Sequence, residues 1–324
     1  MEEQILRFAE QFAWNPDVVR AERLPERPSS LIVCGMGGSH LGARVLLRHD
    51  PTLPLSVHSD YGLPRVPAEQ LRTALIVASS YSGETEETLD AAKSAVAAGL
   101  AVAVITTGGT LARYAEEHAL PLILIPKGDA EPRMAVGTFM LALARLLQSQ
   151  ELEEEIRATG TSLDVQAERA SGEVVAKRLV GSIPLIYAST LNMSLAYFWK
   201  IAFNETSKAP AFYNVFPEVC HNELSGFDNT VPEQALSSHL HILFLKDSDD
   251  HPRIAGRMRV MQELLAARGV ATTDIELAGT TGLEKALNGI LLGVWTAVAL
   301  AKEYQAPDAA TPLIALFKSK KREL

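Results

Sequence analysis

Ser30-Leu31-Ile32-Val33-Cys34-Gly35-Met36-Gly37-Gly38-Ser39 is the stretch that sets the fold. Its first five residues are rich in β-branched side chains and apolar on both faces. That is the pattern of a strand buried in a parallel sheet. Its last five let the backbone turn tightly and approach a ligand, and a helix is expected from about 41 to 49. The unit then repeats. Strands are expected near 55–58, 73–79, 101–106 and 121–125, and helices over 84–98, 111–118 and 134–148. Strand and helix alternate, which means an open parallel α/β sheet with right-handed crossovers.

After an acidic stretch at 151–155, expected to be a solvated helix or connector, a helix is expected over 163–179 and the pattern restarts. Strands are expected at 183–188, 241–245 and 270–276. Helices are expected at 189–203, 253–268 and 282–303. The fold class is therefore α/β, with two doubly wound parallel-sheet domains divided near residue 150: 1–150 and 151–324. A length of 324 residues suits two domains.

Composition narrows the function. Apolar residues are 47% and charged residues 21%, which excludes a largely disordered chain. Lys plus Arg is 30 and Asp plus Glu is 39, a formal net charge of −9. Such a chain, lacking a basic stripe, is expected to bind neither nucleic acid nor an anionic membrane. Any phosphate must then be held locally. Two cysteines, Cys34 and Cys220, make neither a disulfide framework nor a C-x-x-C pair. Both are expected to be reduced, and the compartment cytoplasmic. The longest apolar stretch, 290–301, is shorter than the roughly 20 residues of a membrane span and is expected to be a buried helix.

Ligands of open α/β sheets sit at the carboxyl ends of the strands. Two such ends are rich in Gly and Ser. Gly35-Met36-Gly37-Gly38-Ser39 is neither a dinucleotide fingerprint nor a P-loop, since no Gly-Lys-Ser/Thr follows. Ser80-Tyr81-Ser82-Gly83-Glu84-Thr85 carries more. It places three hydroxyls and a glycine where a strand ends and a helix begins, and a helix N-terminus offers unpaired N–H donors to a phosphate. The plain alternative is an N-cap cluster built on Thr85, Glu86 and Thr88. No metal site and no cofactor are expected. His239 and His241 alternate on a strand without an acidic partner at ligand spacing.

Ser-x-Ser-Gly-x-Thr after a strand resembles the phosphosugar-binding signature of sugar isomerase (SIS) domains. The likeness extends to Gly35-Met36-Gly37-Gly38-Ser39, Glu131-Pro132-Arg133, Asn204-Glu205-Thr206-Ser207-Lys208-Ala209-Pro210-Ala211 and Phe216-Pro217-Glu218-Val219-Cys220-His221-Asn222-Glu223. In order and spacing these resemble the bifunctional phosphoglucose/phosphomannose isomerase family. The resemblance implies two SIS-type, flavodoxin-like domains. It also implies an aldose–ketose isomerase for glucose 6-phosphate, fructose 6-phosphate and mannose 6-phosphate. Ser39, Ser80, Ser82 and Thr85 would hold the phosphate, with Gly37 and Gly38 giving the loop backbone. Glu205 would be the base and Arg133 the partner of the enediolate. His221 and Lys302 would open the ring, His221 entering from the second subunit of a homodimer.

The residues suit that chemistry by themselves. A carboxylate can move a proton in both directions, a fixed guanidinium suits an oxyanion, and an imidazole suits ring opening near neutral pH. A last-turn lysine complementing the helix dipole accounts equally well for Lys302. Three positions depart from the family pattern. His40 follows Ser39 where glycine is usual, and is expected to add bulk and charge beside the sugar. Thr206 stands for an asparagine, and Glu84 fills a position that is often asparagine. The rivals are a non-catalytic sugar-phosphate-binding regulator and an isomerase for another sugar phosphate.

Overall fold

The computed structural model describes residues 1–128, 130–229 and 235–321. The chain folds into two units. The first comprises Leu6–Asp164 with Thr281–Glu284; the second comprises Met1–Ile5, Val165–Thr280 and Lys285–Leu324.

The first unit holds a parallel sheet of β1 (Leu31–Cys34), β2 (Leu55–His58), β3 (Leu75–Ser80), β4 (Ala101–Thr106) and β5 (Leu122–Leu124), in the order β2-β1-β3-β4-β5. Every residue of β1 and β3 is buried, as their two-sided apolar pattern requires. One face packs Ile32, Cys34 and Ile76 against Ala91 and Ala95 of the helix Glu86–Ala97. Small alanines on that helix let it lie close to the sheet. Two further helices, Leu41–His49 and Val136–Leu146, pack on each other. They meet at Gly42, where a Cβ would stand 2.8 Å from the Phe139 Cβ.

The acidic stretch is not simply solvated. Helix Gln150–Thr161 is N-capped by Ser149 and buries Leu152, Glu153 and Ile156. The Glu153 carboxylate takes two bonds from the Arg145 guanidinium, at 2.6 and 2.8 Å. Gly160 lies so close to the Phe12 ring that a Cβ there would stand 2.0 Å from it. These contacts tie the helix to the first unit.

The second unit holds a parallel sheet of β6 (Ile183–Ser189), β7 (Phe212–Phe216), β8 (Leu240–Lys246) and β9 (Ala271–Glu276), in the order β7-β6-β8-β9. β7 was not expected from the sequence, which reads there as a loop rich in aromatics and proline. It lies between Pro210 and Pro217 and contains Asn214, and it is an edge strand, mostly half-exposed. An edge strand lacks the continuous apolar run that marks a central one. One face of this sheet packs Tyr187, Phe216 and Phe244 against Met258, Met261 and Leu265 of the helix Pro252–Ala266. The helices Met193–Ala202 and Gly282–Glu303 form a separate packed pair. Trp199 Nε1 donates to the Gly289 carbonyl at 2.9 Å, and a Cβ at Gly293 would touch the same indole. The helix Gly282–Glu303 is long and apolar enough to cross a membrane, yet 83% of its most apolar window is buried inside the protein. It is a core helix.

Candidate functional site

In the first sheet the chain reverses its winding direction between β1 and β3, so the crevice beyond their carboxyl ends is the expected ligand position. The structure brings the predicted phosphate residues together there. Ser39 is buried in a 3₁₀ turn, Gly37–His40, and its Oγ accepts from the Tyr81 N–H at 2.9 Å. Ser79 Oγ donates to the Ser39 carbonyl at 2.6 Å. Ser80 Oγ accepts from the Gly83 N–H at 3.1 Å and shares a hydrogen bond with Thr85 Oγ1 at 2.8 Å. Ser82 is exposed, and its Oγ accepts from the Glu84 N–H at 3.2 Å.

Two glycines are required by geometry. Gly83 has φ +68°, and a Cβ there would stand 1.9 Å from the Gly108 carbonyl oxygen. Gly38 faces the backbone of Pro132 and Arg133, which a Cβ would meet at 2.7–2.8 Å. Gly38 thus lets the turn Pro132–Met134 lie against the glycine-rich loop. That turn presents Arg133, 1% exposed, with Nη1 3.3 Å from Glu131 Oε2. Gly37, at φ +54°, has open space where a Cβ would be and owes its identity to backbone conformation alone.

The N-cap alternative can be weighed directly. Thr85 occupies the N-cap of the helix Glu86–Ala97, but its side chain makes no capping bond. The hydroxyl bonds Ser80 instead. The helix terminus therefore keeps its positive end without a side-chain oxygen from the cap residue. Glu84 does something the sequence did not disclose. Its carboxylate accepts from the Thr110 N–H at 2.8 Å and from the Thr110 hydroxyl at 2.9 Å, tying the first turn of the helix Gly109–Glu117 to the loop after β3.

The expectation that His40 adds charge is corrected. Its ring is 1% exposed, and burial, helped by nearby Arg44, pushes its pKa down to about 4. Nδ1 lies 2.6 Å from the Gly37 carbonyl, which can only accept, so a neutral ring carries its proton on Nδ1. His40 thus pins the glycine-rich turn as a neutral donor. The folded pKa lies below the unfolded value of roughly 6.5, so the unfolded chain binds this proton more readily. The contribution is fully present above pH 6.5 and is lost as pH falls toward 4. At 1.36 kcal/mol per unit it amounts to about 3 kcal/mol. Urea unfolding at pH 7 and pH 4 should show His40→Gln losing less stability on acidification than the natural chain, by that order. Equal losses would refute a buried neutral ring.

In the second unit, the helix Met193–Ala202 continues into a π turn, Phe203–Ser207, that carries Glu205 half-buried. π turns are rare and concentrate at functional sites. Ser207 Oγ donates to the Ala297 carbonyl at 2.7 Å, and the Lys208 ammonium bonds the Glu205 carbonyl. Asn204 Oδ1 accepts from the Ala211 N–H at 2.8 Å, which fixes the turn to the approach to β7.

His221 is exposed and lies past the other end of β7, after the turn Glu218–Cys220. Val219 and Phe227 anchor its loop on the sheet face that packs Met258. Glu223 adds an anchor, accepting from Tyr187 Oη at 2.7 Å and from the Asn214 amide. Right-handed crossovers place the helix Met193–Ala202 on the opposite face. Within one chain, then, the sheet stands between Glu205 and His221. Lys302 is 61% exposed and its ammonium is paired with Glu2, which also takes Arg169 at 3.1 Å. The last-turn reading of Lys302 fits that pair.

Beyond the carboxyl ends of β6 and β8, where the second sheet has its own winding reversal, lies a cluster the sequence reading missed. Asp247, Asp250, Asn192 and Lys285 are buried there. Lys285 Nζ is 2.8 Å from Asp247 Oδ1, and Asn192 Nδ2 donates to Asp247 Oδ2 at 3.0 Å. Burial holds the Asp250 carboxyl above its usual range. The signal was present as Asp247-Ser248-Asp249-Asp250 at a strand end and a lysine, Lys285, in the first turn of an apolar helix. Among the described residues no group of three or more His, Cys, Asp or Glu could hold a metal ion.

Comparison with known proteins follows the same division. Residues 168–320 match the family model of the bacterial phospho-glucose isomerase C-terminal SIS domain. The bifunctional phosphoglucose/phosphomannose isomerase of Caldicellulosiruptor bescii is 34% identical over 311 residues, 91% of this chain and 90% of the relative. The protein of the same description from Aquifex aeolicus is 31% identical, over 92% of this chain and 90% of the relative. Among solved structures, tagatose-6-phosphate ketose/aldose isomerase from Escherichia coli superposes with a TM-score of 0.62 at 16% identity. The match covers 95% of this chain and 94% of that one, a likeness of fold.

Proposed function

The chain belongs to the bifunctional phosphoglucose/phosphomannose isomerase family, and on that premise we propose that it interconverts glucose 6-phosphate and mannose 6-phosphate with fructose 6-phosphate. The observation that carries this reading is the Ser80–Thr85 turn. Its hydroxyls converge beside a helix terminus whose cap residue makes no capping bond. A phosphate can be held there by neutral donors and the helix dipole, without a lysine. The first unit is in this reading a SIS domain like the second.

The chemistry is a proton transfer. Glu205 takes the C2 proton of the open-chain aldose, and the electron pair passes into a C1–C2 enediolate whose negative charge rests on oxygen. Arg133, a buried fixed cation, suits that oxyanion. The hydroxyl proton passes from O2 to O1, and return of the carbon-bound proton to C1 as the C2–O bond becomes a carbonyl gives the ketose. Glucose and mannose phosphates differ at C2 and share one enediolate, so one base serves both. A coupled assay with fructose 6-phosphate and mannose 6-phosphate tests the proposal, and no conversion of either would reject it.

Ser82 makes only a local bond to Glu84, so its removal should leave the fold intact. Ser82→Ala should raise KM for phosphosugars about tenfold or more, since a hydrogen bond to a charged group is worth roughly 1.5–3 kcal/mol. An unchanged KM would remove Ser82 from the phosphate site.

His221 is proposed to act on the site of a second subunit of a cytoplasmic homodimer. The sheet between it and Glu205 supports that reading. Mixing Glu205→Gln and His221→Ala subunits should restore activity, because one of the two sites in a mixed dimer would be intact. If mixed dimers form and stay inactive, His221 does not act across the interface.

A further inference from the structure

The loop that carries His221 lies on the second sheet through both apolar and polar contacts. Val219 and Phe227 are buried there, and Cys220 and Leu224 pack against the same cluster. Apolar contact of this kind keeps the loop down but is non-directional, so it does not fix where along the sheet the loop sits. Direction comes from Glu223. The register pairs Tyr187 of β6 with Asn214 of β7. Side chains alternate between faces with a period of two, so these two donors rise from the same face of neighbouring strands. Glu223 Oε1 accepts from Tyr187 Oη at 2.7 Å, and Oε2 accepts from the Asn214 amide. One carboxylate thus spans two strands, with each oxygen on its own donor. That geometry allows the carboxylate one position and one tilt.

The donors are themselves fixed. The Tyr187 ring is fully buried and stands edge-on to Phe216 and Phe244, with centroids 6.1 and 5.8 Å away. Burial, with the Glu223 carboxylate, raises the Tyr187 pKa, so its hydroxyl stays a donor at any working pH. Asn214 Oδ1 accepts from the Val215 N–H at 2.8 Å, which turns the amide nitrogen to Glu223. His221 comes two residues before that anchor. Its N–H donates to the Glu218 carbonyl at 2.9 Å, and the Asn222 amide donates to the Glu218 carboxylate at 2.8 Å. The stretch 218–223 is braced on itself and pinned to the sheet at its end.

We propose that Glu223 is a positioning residue, which sets the place and orientation of the His221 imidazole through the paired donors Tyr187 and Asn214. The step His221 performs rests on the isomerase reading; the pinning does not.

Nuclear magnetic resonance of the full chain, with carbon-13 in its histidine rings, tests the pinning. The chain has eight histidines, and the His221 signals are those missing from His221→Ala. Glu223→Ala should shift and broaden them, while the signals of buried His40 stay in place and report an intact fold. Tyr187→Phe removes one donor only and should do the same to a smaller degree, which keeps the test open if Glu223→Ala does not fold. In kinetics, Glu223→Ala should lower kcat on hexose phosphates up to about 10²-fold, the cost of a group misplaced by roughly 1 Å. KM should stay unchanged, because the phosphate residues lie in the other unit. In a His221→Ala background the same change should alter kcat less than about twofold, since residues that act as one unit are not additive. A merely structural loss would lower both backgrounds alike, and that result overturns the proposal. Unchanged His221 signals in Glu223→Ala overturn it as well. Changed signals in a protein that isomerises no hexose phosphate support the pinning and reject the isomerase reading.

Discussion

Glu205→Gln should reduce turnover by about 10²–10⁴-fold, the usual contribution of general base catalysis, with KM little changed. Gln keeps the size and hydrogen-bonding shape of the side chain but cannot accept a proton. The fold should tolerate the change. The π turn is held by Ser207 on the Ala297 carbonyl, by Asn204 on the Ala211 amide and by Lys208 on the Glu205 main chain, none of which uses the Glu205 carboxylate. Glucose and mannose phosphate activities should fall together, and exchange of the C2 hydrogen with solvent should vanish. Turnover within a few-fold of the natural enzyme would mean that another group is the base. Glu218 and Glu223 flank His221, but Glu223 already accepts from Tyr187 and Asn214, so Glu218 would be tested first.

Lys285→Met should destabilise the protein by about 3–5 kcal/mol, the cost of breaking a buried ion pair from one side. The Lys285 side chain is 3% exposed and that of Asp247 is fully buried. Met fills a similar volume but removes the cation that faces the buried Asp247 carboxylate, which lies beside Asp250. Denaturant midpoints of the two chains measure the loss. Asp247→Asn with Lys285→Met should recover much of it, because no charge is then left buried without a partner. A loss below about 1 kcal/mol for Lys285→Met would show that water reaches the cluster.

The alternation of strand and helix was legible because buried parallel strands are apolar on both faces. β2, β4 and the helix Gly282–Glu303 lie where periodicity places them, at 55–58, 101–106 and 282–303. The hydroxyl-rich turns were legible too, since Ser, Thr and Gly concentrate at strand ends for reasons local to a few residues. β7 was not, because an edge strand pairs on one side only and keeps Asn214 and half-exposed aromatics. The π turn was hidden as well. Its residues read as the end of a helix, and the extra backbone residue is held by Ser207 reaching Ala297, ninety positions away.

By itself, then, the sequence determined the fold class, the alternation of strand and helix in both halves and the residue types able to hold a phosphate, all of which follow from short-range pattern. Only the tertiary structure decided which of those groups are already engaged. Thr85 bonds Ser80 and does not cap its helix, and His40 is neutral because burial removes the water that would solvate its charge. The second sheet closes its own crevice with Asp247 and Lys285, thirty-eight residues apart. Hydrogen bonds and desolvation depend on neighbours in space, and those neighbours are distant in the chain.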